Sequence, residues 1–371
     1  MTRRTLLRLA LAVTIAAVPA ATARAESIEE MRAIAEATRA ALDKIRPCLV
    51  TIETFGGTPV VKGVPLIKGK DGEAAPAPLV RPGASPGPGP GTGLVIDAGG
   101  WIVASAFQFK DEPTSIVVTI EDGTSRSAKL VGQDLSRGVA LLSVDFGDRE
   151  LPVPEFRASD SVRVGEWALS IGRALAGENP MVQIGIISAK DRISGRALQT
   201  DALTSPVNFG GPLIDLEGRV YGVIVPLSPH GLEAAVRSYD SGIGFAVPLD
   251  LLAGVMPRLR AGETLRPAFL GVSLDQASTG TGARILGVLA DTPAARAGLQ
   301  PDDVIIRLGV TEIDGAFSLQ HAIARHVAGD RVTLRYRRGT DEHDVEVELA
   351  VPPPPRPPQG GRPAGDDDDD E

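Results

Sequence analysis

Residues 204–225, "TSPVNFGGPLIDLEGRVYGVIV", hold a turn and two strands from which the rest of the chain can be read. Pro206 and the run Gly210-Gly211-Pro212 mark a tight turn. Leu213 and Ile214 open an apolar strand, Leu216-Glu217-Gly218 reverses the chain, and the apolar run ending at Val225 returns as a second strand. One residue is out of keeping. Phe209 puts a large ring inside that turn, directly before the paired glycines.

Working outward, residues 91–248 repeat this grammar. Short runs such as "TGLVIDAG", "WIVASAF", "SIVVTI", "GVALLSV", "VRVGEWALSIG", "VQIGIISAK" and "GIGFAVPL" are separated by Ala-Gly-Gly, Glu-Asp-Gly and Leu-Glu-Gly turns. That rhythm predicts an all-β barrel or sandwich. With 42 Gly and 30 Pro the composition favours short strands over a helical bundle, and 371 residues suffice for two domains plus tails. "SIEEMRAIAEATRAALDKI" predicts a helix opened by a Ser27/Glu30 capping box and ended by Pro47. The Gly/Pro-rich stretch 55–91 reads as a long loop within the domain. "LDLLAGVMPRLRAGE" reads as a helical connector. A second unit begins at Arg266, with a short helix at "PAARAG" and a longer one at "SLQHAIARHV".

The two ends carry different signals. Arg3, Arg4 and Arg8 precede an apolar stretch at 9–21, and Ala23-Arg24-Ala25 supplies a small-x-small cleavage pattern, so residues 1–25 read as a signal peptide. The stretch is short for a membrane span. Removing the signal with its four Arg takes the formal net charge from −9 to −13. A chain so acidic argues against nucleic acid and anionic membrane surfaces as partners. The Pro-rich end with "DDDDDE" reads as a tail without a core. Cys48 excludes an internal disulfide and reads as a small core residue. No Cys/His spacing supports a metal, and no cofactor motif is present.

The stretches "GTGLVIDAGGWIV", "AKLVGQDLSRGVALLSV", "VRVGEWALSIG", "LQTDALTSPVNFGGPLIDLEGRVYGVIV" and "GIGFAVPLDLL" resemble, in order and spacing, the HtrA (DegP-like) family of exported serine proteases. In the second unit "LRPAFLGVSL" and "DTPAARAGLQPDDVIIRLG" continue the likeness. The resemblance implies a mainly β fold: a chymotrypsin-like double β-barrel followed by one α+β PDZ domain. The expected organisation is a signal peptide at 1–25, a helix at 26–46, the double barrel at 47–250, a connector at 251–265, a PDZ domain at 266–351 and a tail at 352–371.

The family's chemistry needs a Ser nucleophile, a His base and an Asp that fixes the His tautomer. Carried over motif by motif, the His position falls on Phe107 in "ASAFQF", the Asp position on Gly138 in "RGVALL", and the Ser position on Phe209 in "VNFGGPL". All three groups are missing. Independently of any alignment, the four His are His230, His321, His326 and His343, so nothing before residue 230 offers an imidazole. Ser205 and His230 are the nearby candidates for migrated chemistry, and Ser205 reads as a turn hydroxyl. The family's oxyanion-hole glycine falls on Val207, whose branched side chain resists the positive φ such turns use. Phe107 and Phe209 either pack together as a plug or simply fill local space.

The PDZ-like unit keeps more of its parts. Phe269-Leu270-Gly271-Val272 resembles the loop that receives a peptide carboxylate, and Leu319, Ala322 and Ile323 on the longer helix suit either a groove wall or the core. The expected protein is an exported, periplasmic or secreted HtrA-like pseudoprotease without a membrane anchor once processed. It would bind exposed or C-terminal peptide segments in envelope protein quality control. Active HtrA relatives and an oligomer are compatible partners. The rival is an active endopeptidase using non-standard residues.

Overall fold

The computed structural model describes residues 20–56, 67–68, 74–75, 90–173, 179–228, 241–277 and 281–353. Two compact units emerge, Met1–Thr264 and Leu265–Glu371. Residues 1–19, His230 and the acidic end of the tail lie outside the described residues.

In the first unit, six antiparallel strands close a barrel. They are β1 (Leu49–Phe55), β2 (Gly91–Asp97), β3 (Trp101–Ser105), β4 (Ser115–Thr119), β5 (Ser125–Asp134) and β6 (Val139–Val144), joined in the order β5-β4-β1-β2-β3-β6 with β6 returning to β5. Alternation drives closure, because every second side chain can enter one shared interior. Val50, Ile52, Val95, Ile102, Ile116, Val118 and Leu142 fill it.

A second six-stranded closed barrel follows, from β7 (Trp167–Gly172), β8 (Met181–Asp191), β9 (Ala197–Thr200), β10 (Pro212–Ile214), β11 (Val220–Ile224) and β12 (Gly244–Pro248). The stretch quoted at the outset supplies β10 and β11, which pair with each other. The connector forms two short helices, α2 (Leu249–Ala253) and α3 (Met256–Arg260), with Pro257 in the first turn of α3.

The second unit is a sheet ordered β13-β14-β15-β17-β18: Val272–Leu274, Ala283–Val288, Val304–Leu308, Arg331–Arg338 and Asp341–Glu348, with the two-residue β16 (Thr311–Glu312) beside β15. It carries helices α4 (Pro293–Arg296) and α5 (Ala316–Ala324). Its core gathers Leu270, Ile285, Leu299, Ile305, Leu319 and Leu334.

Three local expectations are corrected. The N-terminal helix, α1, runs over Ala20–Ile45, so Ser27 lies inside it rather than capping it. The alanine-rich residues before Ser27 continue the helix at little conformational cost. A two-residue strand pair, Ile67–Lys68 with Ala74–Ala75, interrupts the long loop. And α5 ends at Ala324, which leaves His326 beyond the helix with His321 still on it. The ring of His326 instead faces Asp330, at 3.2 Å from Nδ1 to Oδ2.

Candidate functional site

Phe107 is delivered by a 3-10 turn, Ala106–Phe109, immediately after β3. The Ser105 side chain caps that turn by accepting from the Phe107 N–H at 3.3 Å. Phe209 comes from the turn before β10. Their ring centroids lie 5.8 Å apart at an interplanar angle of 85°, an edge-to-face pair. Phe107 is 9% exposed and Phe209 2%. Such a pair contributes about 0.5–1.5 kcal/mol beyond the area it buries. The Lys110 ammonium sits 4.9 Å from the Phe107 ring centroid.

The backbone around Phe209 has closed on itself. The amides of Asn208 and Phe209 both donate to the Ser205 carbonyl, at 3.0 and 3.2 Å, and Gly211 donates to the Asn208 carbonyl. An amide turned back into its own helical turn does not point into a cleft, so the Phe209 N–H is not presented to a developing oxyanion. Val207 is absent from the residues with positive φ, whereas Gly210 keeps φ +90. A Cβ at Gly210 would overlap the Thr92 carbonyl, so this glycine is required by the close approach of barrel one. The Asn208 side chain staples the turn internally, donating to Ser170 Oγ at 2.6 Å while its Oδ1 accepts from the Ser205 amide at 2.7 Å.

Gly138 also has positive φ, +70, and its carbonyl accepts from the Ala106 amide at 2.9 Å. Beside it, Asp134 and Arg137 form a buried ion pair at 2.6 Å. Sequence reasoning passed over Gln108. It is 4% exposed, and its Nε2 donates to the carbonyls of Phe209 at 2.9 Å and Thr92 at 3.2 Å. The available signal was one amide within the apolar run "IVASAFQF". A cavity of about 730 Å³ lies elsewhere, against Ile96, Phe156, Leu249, Met256 and Arg260, and none of Phe107, Gly138, Val207 or Phe209 lines it.

In the second unit, β13 is a sheet edge, paired among the described residues only with β14. Just before it, Gly271 has φ +92, and a Cβ there would overlap Thr292. The amides of Leu270 and Gly271 donate to no acceptor among the described residues, whereas their carbonyls accept from Ala294 and Leu289. Unpaired amide donors beside a strand edge are groups with which an extended chain and an anionic terminus can pair. Leu270, Leu319 and Ala322 are buried in the core beneath this edge. Val272 and Ile323 pack against that core half-buried, and Phe269 is likewise half-buried. Among the described residues, no group of three or more His, Cys, Asp or Glu is placed to hold a metal.

The double barrel and the edge-bearing sheet define a trypsin-like peptidase fold joined to a PDZ domain, and comparisons with known proteins agree. Residues 91–223 match the trypsin-like peptidase domain family and residues 268–349 the PDZ domain family. The chain is 31% identical over 290 residues to a probable periplasmic serine endoprotease, DegP-like, of Hahella chejuensis, a match covering 73% of this chain and 59% of that relative. It is 29% identical over 286 residues to the putative serine protease HhoA of Synechocystis, covering 70% of each. Among solved structures, the HtrA-type protease AlgW with decapeptide superposes with a TM-score of 0.62 at 26% identity, covering 86% of this chain and 99% of that one. The chain belongs to the HtrA family. It spans between half and three fifths of the length of the DegP-like relatives from Hahella chejuensis and Chlamydia trachomatis.

Proposed function

We propose that this protein is an HtrA-type pseudoprotease, a non-cleaving member that captures exposed or C-terminal peptide segments through its PDZ domain. One observation carries the reading: two phenyl rings in edge-to-face contact stand at the positions the family's motifs assign to the base and the nucleophile. The aligned Asp position is Gly138, and no imidazole occurs before residue 230. The closed turn removes the Phe209 amide as an oxyanion donor. Capture is supported by the unpaired Leu270 and Gly271 amides beside the β13 edge. The AlgW structures with bound decapeptide and tripeptide show family members that hold peptides. Work in the bacterial periplasm fits the signal-like start and the relatives described as periplasmic. No described helix is long and apolar enough to cross a membrane.

The test has two arms on the purified protein. Incubation with a fluorophosphonate probe and an unfolded protein substrate is expected to give neither labelling nor cleavage. A peptide library with free C-termini is expected to yield binders that lose affinity at least tenfold when amidated, because the carboxylate is what the two amides receive. Stoichiometric labelling of any serine would overturn the inactive assignment, and labelling at Ser205 would identify the nucleophile. Binders indifferent to amidation would overturn the carboxylate-receiving role.

A further inference from the structure

We infer that the turn Ala106–Phe109 has become a fastener between the two barrels, with Gln108 as its polar bolt. Three consecutive side chains of this one turn serve different bodies. Phe107 arises from barrel one yet joins the core of barrel two, beside Phe209, Leu213 and Ile224. Phe109 turns the other way and joins the core of barrel one. Gln108, between them, reaches across to the Phe209 carbonyl and also holds the Thr92 carbonyl of its own barrel.

A second polar tie runs alongside. Thr92 is fully buried; its hydroxyl donates to the Val207 carbonyl at 2.9 Å and accepts from the Arg173 amide at 2.7 Å. Thr51 of barrel one adds a bond to the Arg173 carbonyl at 2.7 Å. The carbonyls on either side of Asn208 are thus both held by side chains of barrel one. Space for the Gln108 amide depends on Gly91, where a Cβ would overlap it. Ring burial supplies area without direction, whereas dry hydrogen bonds fix how the two surfaces register. Space filling after loss of catalysis requires none of these directed bonds.

The fastener is tested with Gln108→Leu, which removes the side-chain donor to the Phe209 and Thr92 carbonyls. Midpoint temperature and limited proteolysis after Glu150 and Glu155, in the exposed segment between the barrels, are read together. The expected result is a midpoint lowered by about 4–8 °C, with cleavage between the barrels accelerated at least tenfold. Val118→Ala, within the core of barrel one, serves as the reference for a loss of stability that leaves the fastening intact. Cleavage by Gln108→Leu no faster than by Val118→Ala at matched distance below each midpoint overturns the inference. Should Gln108→Leu not fold, Thr92→Val is read in the same way, with Thr92→Ser expected to restore slow cleavage and overturning the inference if it does not. Neither readout depends on peptide capture or hydrolysis, so the proposed function and the fastener stand or fall separately.

Discussion

On the proposed reading, Val207 and Phe209 remove different parts of one device. The ring stands where the family's motif puts an attacking hydroxyl, whereas the branched side chain favours a backbone in which the following amides bend toward Ser205. Restoring the side chains alone therefore leaves the donor geometry unrestored. The variant Phe107→His/Gly138→Asp/Phe209→Ser is expected to remain at least ~10²-fold below an active relative in turnover, since one lost oxyanion donor costs ~10²–10³. Adding Val207→Gly is expected to raise turnover at least tenfold over the triple variant. Gly138 adds a smaller obstacle, because Asp must accept φ near +70 at a cost of about 1 kcal/mol. Hydrolysis of a fluorogenic peptide measures each step, and full activity in the triple variant would refute this account of the turn.

Elements place these residues, and two glycines show how tightly. At Gly210 the turn before β10 meets the Thr92 carbonyl, and at Gly271 the loop before β13 meets Thr292. The second of these bears on binding. Gly271→Ala forces a side chain into a left-handed backbone and against Thr292, so the loop must shift and its amides lose their aim. Peptide affinity, followed by fluorescence anisotropy, is expected to fall at least tenfold. The far-ultraviolet circular dichroism contributed by the barrels should be unchanged. Retained affinity would mean that the Leu270 and Gly271 amides do not receive the ligand.

At the scale of the molecule, stability is bounded on both sides of neutrality by groups on the barrels. Burial raises the pKa of Glu166, but hydrogen bonds from Arg157, Tyr221 and Arg163 outweigh it and hold the carboxylate below its ordinary value. A lowered carboxylate contributes stability above its unfolded pKa, and this contribution disappears as pH falls through the lower folded value. The Cys48 thiol is pushed up to about 11 from its ordinary 9.0, first by burial and then by the charge of Glu121. That contribution is complete below pH 9 and is lost as pH rises toward 11. Chemical denaturation across pH is expected to show Glu166→Gln flattening the acid limb and Cys48→Ala the alkaline limb. Parallel limbs in wild type and both variants would contradict these assignments.

Much of this was legible in the residues themselves. Strand alternation and turn glycines are local and predicted an all-β barrel or sandwich, while the resemblance of the ordered motifs to the HtrA family implied the double barrel and the PDZ unit. The ring at 209, the missing imidazole before 230 and Val207 could likewise be read without coordinates. The Phe107–Phe209 contact was an expectation that only barrel closure could realise, because the two residues belong to different barrels and no local period relates them. Gln108 was not legible. Its partner, the Phe209 carbonyl, lies 101 residues away, and nothing in "AFQF" says which way an amide will turn. The early start of α1 and the exclusion of His326 from α5 also depended on context, since helix ends are set by capping and packing that propensity only approximates. Sequence settled which chemical groups this protein has. Tertiary structure decided how the replacements meet, because directed bonds between distant segments exist only once the chain has closed around them.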